Sequence, residues 1–324
     1  MDTRLTICSV SFGHGRLLSL NAQLGARLNR KFEQRVIWRL AENAPVNADD
    51  RITAEHGPFV IEPGSTETSL GASYQHADAL NTLVRKTETR FLLVLDPDFY
   101  ILRPDWVDAI PEYMDKHELG FFGTPWHPRY SRNYRYFPAV HCMFIDLEKV
   151  GKQDLDFLPE LERIELAGKR ATGILDRISY LANRRRVPWD TGVRVFERFA
   201  SAASLPAECT KPVFRLDPPH YPDFDAHHWK HRLIEAILPE RYCYIPKRRD
   251  TYTHSGFSER SWVSSPLPDR WEESIWQGRP FGLHVRRSFN AGGRDKQAET
   301  VFLEQVLVEL AASVENSPPF QPIK

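Results

Sequence analysis

The sequence predicts an α/β protein with an open, mainly parallel sheet flanked by helices. Short apolar runs of strand length recur along the first half of the chain. Amphipathic helical segments or loops separate them, and parallel neighbours require such crossover connections. One run, Phe91 to Leu95, has five consecutive apolar residues, which is typical of a strand buried on both faces.

The elements of the first half follow in alternation. Strands are expected at 5–10, 36–40, 59–61, 91–95, 119–122 and 139–146, and helices at 16–30, 69–85 and 104–114. The opening strand, loop and helix are typical of a nucleotide-binding α/β domain. The loop at 11–15 lacks a full GxGxxG pattern, which disfavours a dinucleotide site.

The second half has a weaker pattern. Helices are expected at 173–184, 193–200 and 295–313, a helix or loop at 152–170, and short strands at 213–216 and 242–245. Acids and histidines crowd between positions 223 and 231, but no HExxH motif is present, so a zinc site is disfavoured. The tail after position 315 is expected to be disordered.

The composition is that of a globular protein, with 324 residues of which 41% are hydrophobic and 27% charged. Basic and acidic residues number 43 each, so the basic excess expected of a nucleic-acid-binding protein is missing. Four widely spaced cysteines without a CxxC motif favour reduced thiols and a cytoplasmic location. We expect neither a signal peptide nor a transmembrane segment, and peripheral contact with a membrane stays open.

Two acids follow the strand at 91–95. Asp96 and Asp98 flank Pro97, which cannot donate a hydrogen bond to a sheet and should end the pairing there. Ligands of open α/β sheets bind at this edge. Two carboxylates there suit Mg²⁺ or Mn²⁺ holding a phosphate. The alternative is a capped strand end with two solvated acids.

This motif resembles the metal motif of nucleotide-sugar glycosyltransferases with the GT-A fold, and family 2 of these enzymes in particular. The resemblance is carried by residues 90–101 and, less specifically, by 137–146 and 187–192. It implies hexosyl transfer from a nucleotide-diphosphate sugar, a UDP-sugar first of all, to a glycan or lipid-linked acceptor, as in polysaccharide biosynthesis.

The resemblance also implies a domain organisation. Residues 1–290 would form one GT-A-like catalytic domain, with a Rossmann-like nucleotide-sugar-binding half at 1–122 and an acceptor-binding half at 123–290. Residues 291–324 would add a C-terminal helix and the tail.

The resemblance assigns metal ligands as well. Asp98 would bind the ion directly, and Asp96 would contact the ribose or the ion. GT-A enzymes commonly complete the site with a C-terminal histidine, for which His284 is favoured over His254. A nitrogen ligand beside carboxylates shifts the preference from Mg²⁺ toward Mn²⁺.

Three further residues are expected to contact the nucleotide sugar. Ser9 lies in the first strand, and Asp78 lies in a helical stretch, His76 to Asn81, whose pattern is similar to one near the nucleotide in the resembled family. The alternative for Asp78 is an ordinary solvated helix residue. Arg286 could hold diphosphate oxygens through its guanidinium group.

Asp190 is the candidate catalytic base. It precedes the helix predicted at 193–200, where it could act as the N-cap. In inverting GT-A enzymes an acid at such a helix start takes the proton of the attacking hydroxyl, and the two roles are compatible. Inversion is therefore expected, with retention left open.

The segment 123–138 is rich in arginine and aromatic residues, which predicts either a surface loop or a flap over the sugar. Two other functions stay open for the whole chain. One is a non-catalytic nucleotide- or sugar-binding protein on the same fold. The other is a phosphatase whose Asp-x-Asp supplies the nucleophile. The phosphatase is disfavoured because the motif follows at least three earlier strands and continues with Phe99 and Tyr100.

Overall fold

A computed structural model describes residues 4–45, 48, 50–66, 69–129, 136–159, 190–215, 236, 247–286 and 296–315. The strands in these residues are β1 (Leu5–Ser11), β2 (Val36–Glu42), β3 (Phe59–Pro63), β4 (Phe91–Leu95), β5 (Phe99–Ile101), β6 (Phe121–Pro125), β7 (Pro138–Asp146), β8 (Ala207–Cys209), β9 (Lys211–Pro212), β10 (Trp271–Trp276) and β11 (Arg279–Val285). The α-helices are α1 (Gly15–Leu28), α2 (Phe32–Arg35), α3 (Ala72–Arg85), α4 (Trp106–Lys116), α5 (Leu147–Val150), α6 (Val193–Phe199) and α7 (Lys296–Glu315).

The larger sheet has seven strands in the order β3-β2-β1-β4-β7-β6-β8. The first four pair in parallel, β7 runs antiparallel to β4 and β6, and β8 is parallel to β6. Helices α1 and α4 pack on one face of this sheet and α3 and α6 on the other. The predicted fold class, an open and mainly parallel sheet flanked by helices, is confirmed.

The centre of the sheet is apolar on both faces because successive side chains of a strand point in opposite directions. In β1, Leu5 and Ile7 join one core and Cys8 and Val10 join the other. All residues of β4 are buried in the same alternating way. Strands buried on both faces give continuous apolar runs, which is why β4 was detectable from sequence.

A second sheet of four strands has the order β5-β11-β10-β9. Strand β5 begins directly after Asp98 and pairs antiparallel with β11, so that Phe99 lies opposite His284. The side chain of Asn21 in α1 fixes β5 by donating to the carbonyl oxygen of Phe99 at 2.7 Å. This sheet, which the sequence patterns did not predict, brings the C-terminal part of the chain beside the Asp-Pro-Asp turn.

Several sequence predictions differ from the structure or fall outside it. Of the strand predicted at 213–216, residue 216 lies outside the described residues, and Val213 forms a bridge with Thr253. The helix at 173–184, the strand at 242–245, the cluster at 223–231 and the tail after 315 lie outside the described residues. The two halves at 1–122 and 123–290 stay a prediction.

The described cysteines are the free, buried residues Cys8, Cys142 and Cys209. Cys243 lies outside the described residues. No helix in the described part of the chain combines the length and the apolar character needed to cross a bilayer.

Candidate functional site

The Asp-Pro-Asp turn is fixed by backbone hydrogen bonds from three sides. The N–H of Asp96 donates to the carbonyl oxygen of His141 at 3.1 Å, and the N–H of Phe99 donates to that of Asp96 at 3.1 Å. The N–H of Val285 donates to the carbonyl oxygen of Asp98 at 2.9 Å. The turn therefore joins the two sheets, and its two carboxylates are held at the edge where β4 ends.

Asp96, Asp98 and His284 form a compact group. Each offers one ligand atom, and these atoms all lie within 4.8 Å of one another. The Nε2 atom of His284 is 3.3 Å from Oδ1 of Asp98, with the histidine 3% exposed and the aspartate 28% exposed. Two carboxylates and one imidazole form a donor set that suits Mn²⁺, so the predicted combination fits a divalent ion.

Glu272 is a member of the site that the sequence did not reveal. It lies opposite His284 in the β10–β11 pair, and its Oε2 is 3.1 Å from Nδ1 of the histidine. A carboxylate on one imidazole nitrogen fixes the ring and leaves the other nitrogen for a metal. Glu272 also lies 3.7 Å from the Nε atom of Arg286. The one signal in the sequence was an acid pair, Glu272 and Glu273, inside an otherwise strand-like run.

The ionisation of the group follows from burial and close charges. Burial alone would lower the pKa of His284, but Asp98 and Glu272 outweigh it and raise that pKa to about 9. For Asp98, burial acts upward, yet the neighbouring His284 gives a net lowering of the pKa. The pKa of Asp96 is raised, mainly by burial and against the opposing effect of His76. Without a metal, the imidazole of His284 is therefore protonated and lies between the carboxylates of Asp98 and Glu272.

Arg286 is held beside this group by Trp126. Its guanidinium carbon is 4.4 Å from the centre of the indole ring, within the range of a cation–π contact. The indole centre is 6.2 Å from the ring of His141, which stacks on His284 at 4.7 Å. Burial, followed by the charge of His284, holds the pKa of His141 well below its usual value. The neutral imidazole of His141 therefore lies between Trp126 and His284. Through Trp126, this stack places Arg286 beside the group of Asp96, Asp98 and His284.

Asp190 lies near the same indole. Together with Trp126 it lines a small cavity at the start of α6. Its Oδ1 atom accepts hydrogen bonds from the hydroxyl of Ser73 at 2.9 Å and from the N–H of Thr191 at 2.9 Å. The N-cap interpretation is wrong, because the helix begins at Val193 and its cap is Gly192, at a φ of 84°.

Asp78 and His254 are not members of the group of Asp96, Asp98 and His284. Asp78 accepts a hydrogen bond from the hydroxyl of Ser65 at 2.7 Å, in the connection that follows β3. His254 pairs through Nδ1 with the carbonyl oxygen of Phe214 at 2.7 Å and is not a member of the group.

Ser9 is buried within β1, where its hydroxyl serves the interior of the sheet. It donates to the carbonyl oxygen of Leu95 at 2.7 Å and accepts from the indole of Trp38 at 3.0 Å. Ser9 is 1% exposed, and its contact with the nucleotide sugar stays a prediction.

No protein-family model matches the chain, and no curated protein matches it. Similar solved structures include the mannosyltransferase PcManGT from Pyrobaculum calidifontis in complex with GDP-Man and Mn²⁺. That match has 12% identity, covers 98% of this chain and 88% of the other, and has a TM-score of 0.38. A second is the galactosyltransferase LgtC with donor and acceptor sugar analogues, at 11% identity, 97% and 98% coverage and a TM-score of 0.37.

The S. aureus protein TarS in complex with UDP-GlcNAc matches at 11% identity and a TM-score of 0.33. This match covers 48% of each chain, so the similarity spans about half the length of the TarS structure. With TM-scores below 0.5, these similarities leave the function to be argued from the residues of the site.

Proposed function

We propose that this protein is a metal-dependent glycosyltransferase that moves a sugar from a nucleotide-diphosphate sugar to an acceptor hydroxyl. The observation that carries the proposal is the group of Asp96, Asp98 and His284 at the edge of the sheet. Ligands of open α/β sheets bind beyond the carboxyl ends of the strands, and Asp96 directly follows the end of β4. A nucleotide bound there would have its phosphates next to the three ligand atoms.

The ion would be Mn²⁺ or Mg²⁺, held by Asp98 and His284 with Asp96 beside them. The imidazole favours Mn²⁺, and Glu272 supports this choice because it keeps the Nε2 atom of His284 turned toward Asp98. When bound, the ion would offset the negative charge that develops on the leaving diphosphate.

The chain's own residues would hold the rest of the donor. Arg286, packed against Trp126, would contact diphosphate oxygens through its guanidinium group. Asp78 would contact the nucleotide from α3, and Asp96 would contact either the ribose or the ion. The nucleotide would be a UDP-sugar first of all, with a glycan or a lipid-linked sugar as acceptor.

Asp190 would act as the catalytic base. The Oδ1 atom of its carboxylate is fixed by Ser73 and Thr191, while Oδ2 has no partner among the described residues. That second oxygen would accept the proton of the acceptor hydroxyl as it attacks the anomeric carbon. One base on the side opposite the leaving group gives inversion of configuration.

The direct test is donor cleavage. The protein is incubated with Mn²⁺ and a panel of UDP- and GDP-sugars, without acceptor, and release of the nucleoside diphosphate is measured. Slow release is expected for the wild type and loss of release for Asp98→Asn. As a control, Asp250→Asn changes an aspartate whose side chain is 70% exposed and pairs with Arg248, and it should behave like the wild type.

Two results would contradict the proposal. One is the absence of release with any donor. The other is thermal stabilisation by a nucleotide without turnover, which would indicate a binding protein instead.

A further inference from the structure

A small cavity opens between β7 and the start of α6. It has a volume of about 20 Å³, which is enough for one water-sized group. Its walls are mostly apolar and come from three separated parts of the chain. The side chains that matter here are Trp126, Phe137, Val140, Met143 and Val193.

The polar part of the cavity lining is Asp190 with its neighbour Thr191. Thr191 is already engaged, since its hydroxyl donates to the carbonyl oxygen of Ser73 at 3.0 Å. A buried water usually makes about three hydrogen bonds to protein groups, whereas the side chains that line this cavity among the described residues are mostly apolar. An apolar group of the same size loses nothing in such a place and gains van der Waals contacts on every side.

The backbone preserves this space. Gly192 has a φ of 84°, and a Cβ atom there would come within 2.6 Å of Cγ1 of Val140, a cavity residue. Strand β7 and helix α6 therefore approach too closely for a side chain at this position, and one placed there would displace Val140 from the cavity wall.

We infer that this cavity is a subsite for a methyl group carried by the acceptor sugar. The inference rests on the proposed function, which makes Asp190 the base and so puts the acceptor hydroxyl at its carboxylate. A pyranose could place that hydroxyl at the carboxylate of Asp190 and a neighbouring methyl group against the apolar walls of the cavity. Two kinds of sugar carry such a methyl: N-acetylhexosamines, through the acetamido group, and 6-deoxyhexoses, through C6.

Trp126 lies next to both the cavity and the proposed donor site. Its indole borders the cavity, and it also contacts Arg286, whose ring-to-guanidinium distance is 4.4 Å. The acceptor and the donor diphosphate would then both lie next to this one aromatic ring, with the attacking hydroxyl at Asp190.

The test compares binding of free sugars by NMR titration in two arms. The first arm sets N-acetylglucosamine against glucose, and the second sets a 6-deoxyhexose against its parent hexose. For the wild type we expect about tenfold tighter binding of the methyl-bearing sugar in one arm, the lower end of the effect of one such group in an apolar pocket. The arm that shows the difference identifies the source of the methyl.

Two variants with the same chemical change provide the control. Val193→Ile adds one methylene to the cavity lining and should reduce the difference in binding to less than about threefold. Val195→Ile makes the same change two residues further along α6, at a buried position that does not line the cavity, and should keep the difference. Circular dichroism and the melting temperature check that both variants fold. If Val193→Ile does not fold, Val193→Ala, which enlarges the cavity, should reduce the difference instead.

Each outcome decides one question. No methyl preference in either arm, or equal effects of the two isoleucine variants, overturns the methyl subsite. Donor cleavage with Mn²⁺ does not need the cavity, so cleavage without a methyl preference rejects the subsite alone. A methyl preference without cleavage of any donor rejects the glycosyltransferase and leaves a sugar-binding site.

Discussion

Replacing Glu272 with glutamine should weaken Mn²⁺ binding without unfolding the protein. The glutamate is buried, and its Oε2 lies 3.1 Å from Nδ1 of His284. Glutamine keeps an oxygen that can accept the same hydrogen bond but removes the negative charge. The imidazole then loses the partner that raises its basicity and fixes its ring, while Asp98 and Asp96 stay in position.

The magnitude follows from the role of such partners. Outer carboxylates of metal-binding histidines typically contribute a factor of about 10 to 100 in metal affinity, which corresponds to about 1.4 to 2.7 kcal/mol. Glu272→Gln should fall near the lower end, because it retains the hydrogen bond. Glu272→Leu should fall near the upper end, because it also removes the acceptor of the imidazole N–H.

The assay is a calorimetric titration of each variant with Mn²⁺ above about pH 9, where easier proton release from His284 no longer offsets the loss of affinity. The shift in melting temperature at a fixed Mn²⁺ concentration supports it. Glu208→Gln is a matched control, since this glutamate accepts a hydrogen bond from Tyr113 at 2.9 Å outside the candidate site. The opposite result would be wild-type Mn²⁺ binding by Glu272→Gln together with loss of binding by His284→Ala. That result would mean that the histidine needs no carboxylate behind it.

Three further predictions concern protonation, the backbone and the base. Mn²⁺ affinity should rise about tenfold per pH unit between about pH 6 and 8 and level off above about 9. The reason is that His284, with a pKa raised to about 9, must release its proton to bind a metal, so a flat calorimetric profile would contradict this role. Gly192→Ala should cost about 1 to 3 kcal/mol more in urea unfolding than Gly13→Ala. Their φ angles are 84° and 82°, but only the first added Cβ overlaps a neighbour, Cγ1 of Val140 at 2.6 Å, so equal costs would exclude the overlap. Asp190→Asn should lower acceptor-dependent transfer at least about 100-fold and leave Mn²⁺ affinity unchanged when both are measured in parallel assays. Loss of both would indicate that Asp190 binds the metal instead.

The parts of the fold that sequence could predict are those with a local signal. Strand β4 and the acids after it were predictable because a strand buried on both faces is an unbroken apolar run. Strand β11 has no such run, since it contains Pro280 and Gly282. The glycine is there for a non-local reason: a Cβ on Gly282 would come within 2.5 Å of the ring of Phe99 in the neighbouring strand β5.

The residues of the candidate site also differ in whether a local sequence signal predicts them. Asp96 and Asp98 were found from their spacing, and His284 was favoured through a family resemblance, so these three came from the chain alone. Glu272 could not be found in this way, because its relation to His284 is a cross-strand pair set by the register of β10 and β11. The only trace of this pairing in the sequence was the acid pair Glu272 and Glu273 inside a strand-like run.

The charges of the site explain how it can be assembled before a metal binds. Buried carboxylates repel one another and would destabilise the turn if they had no partner. Here the protonated His284 lies between Asp98 and Glu272, and Arg286 lies on the far side of Glu272. In the metal-free protein, the proton on His284 therefore supplies the positive charge that a bound cation would otherwise supply to these carboxylates. Exchange of that proton for a divalent ion would leave the carboxylates compensated in both states, so these side chains could keep one geometry throughout.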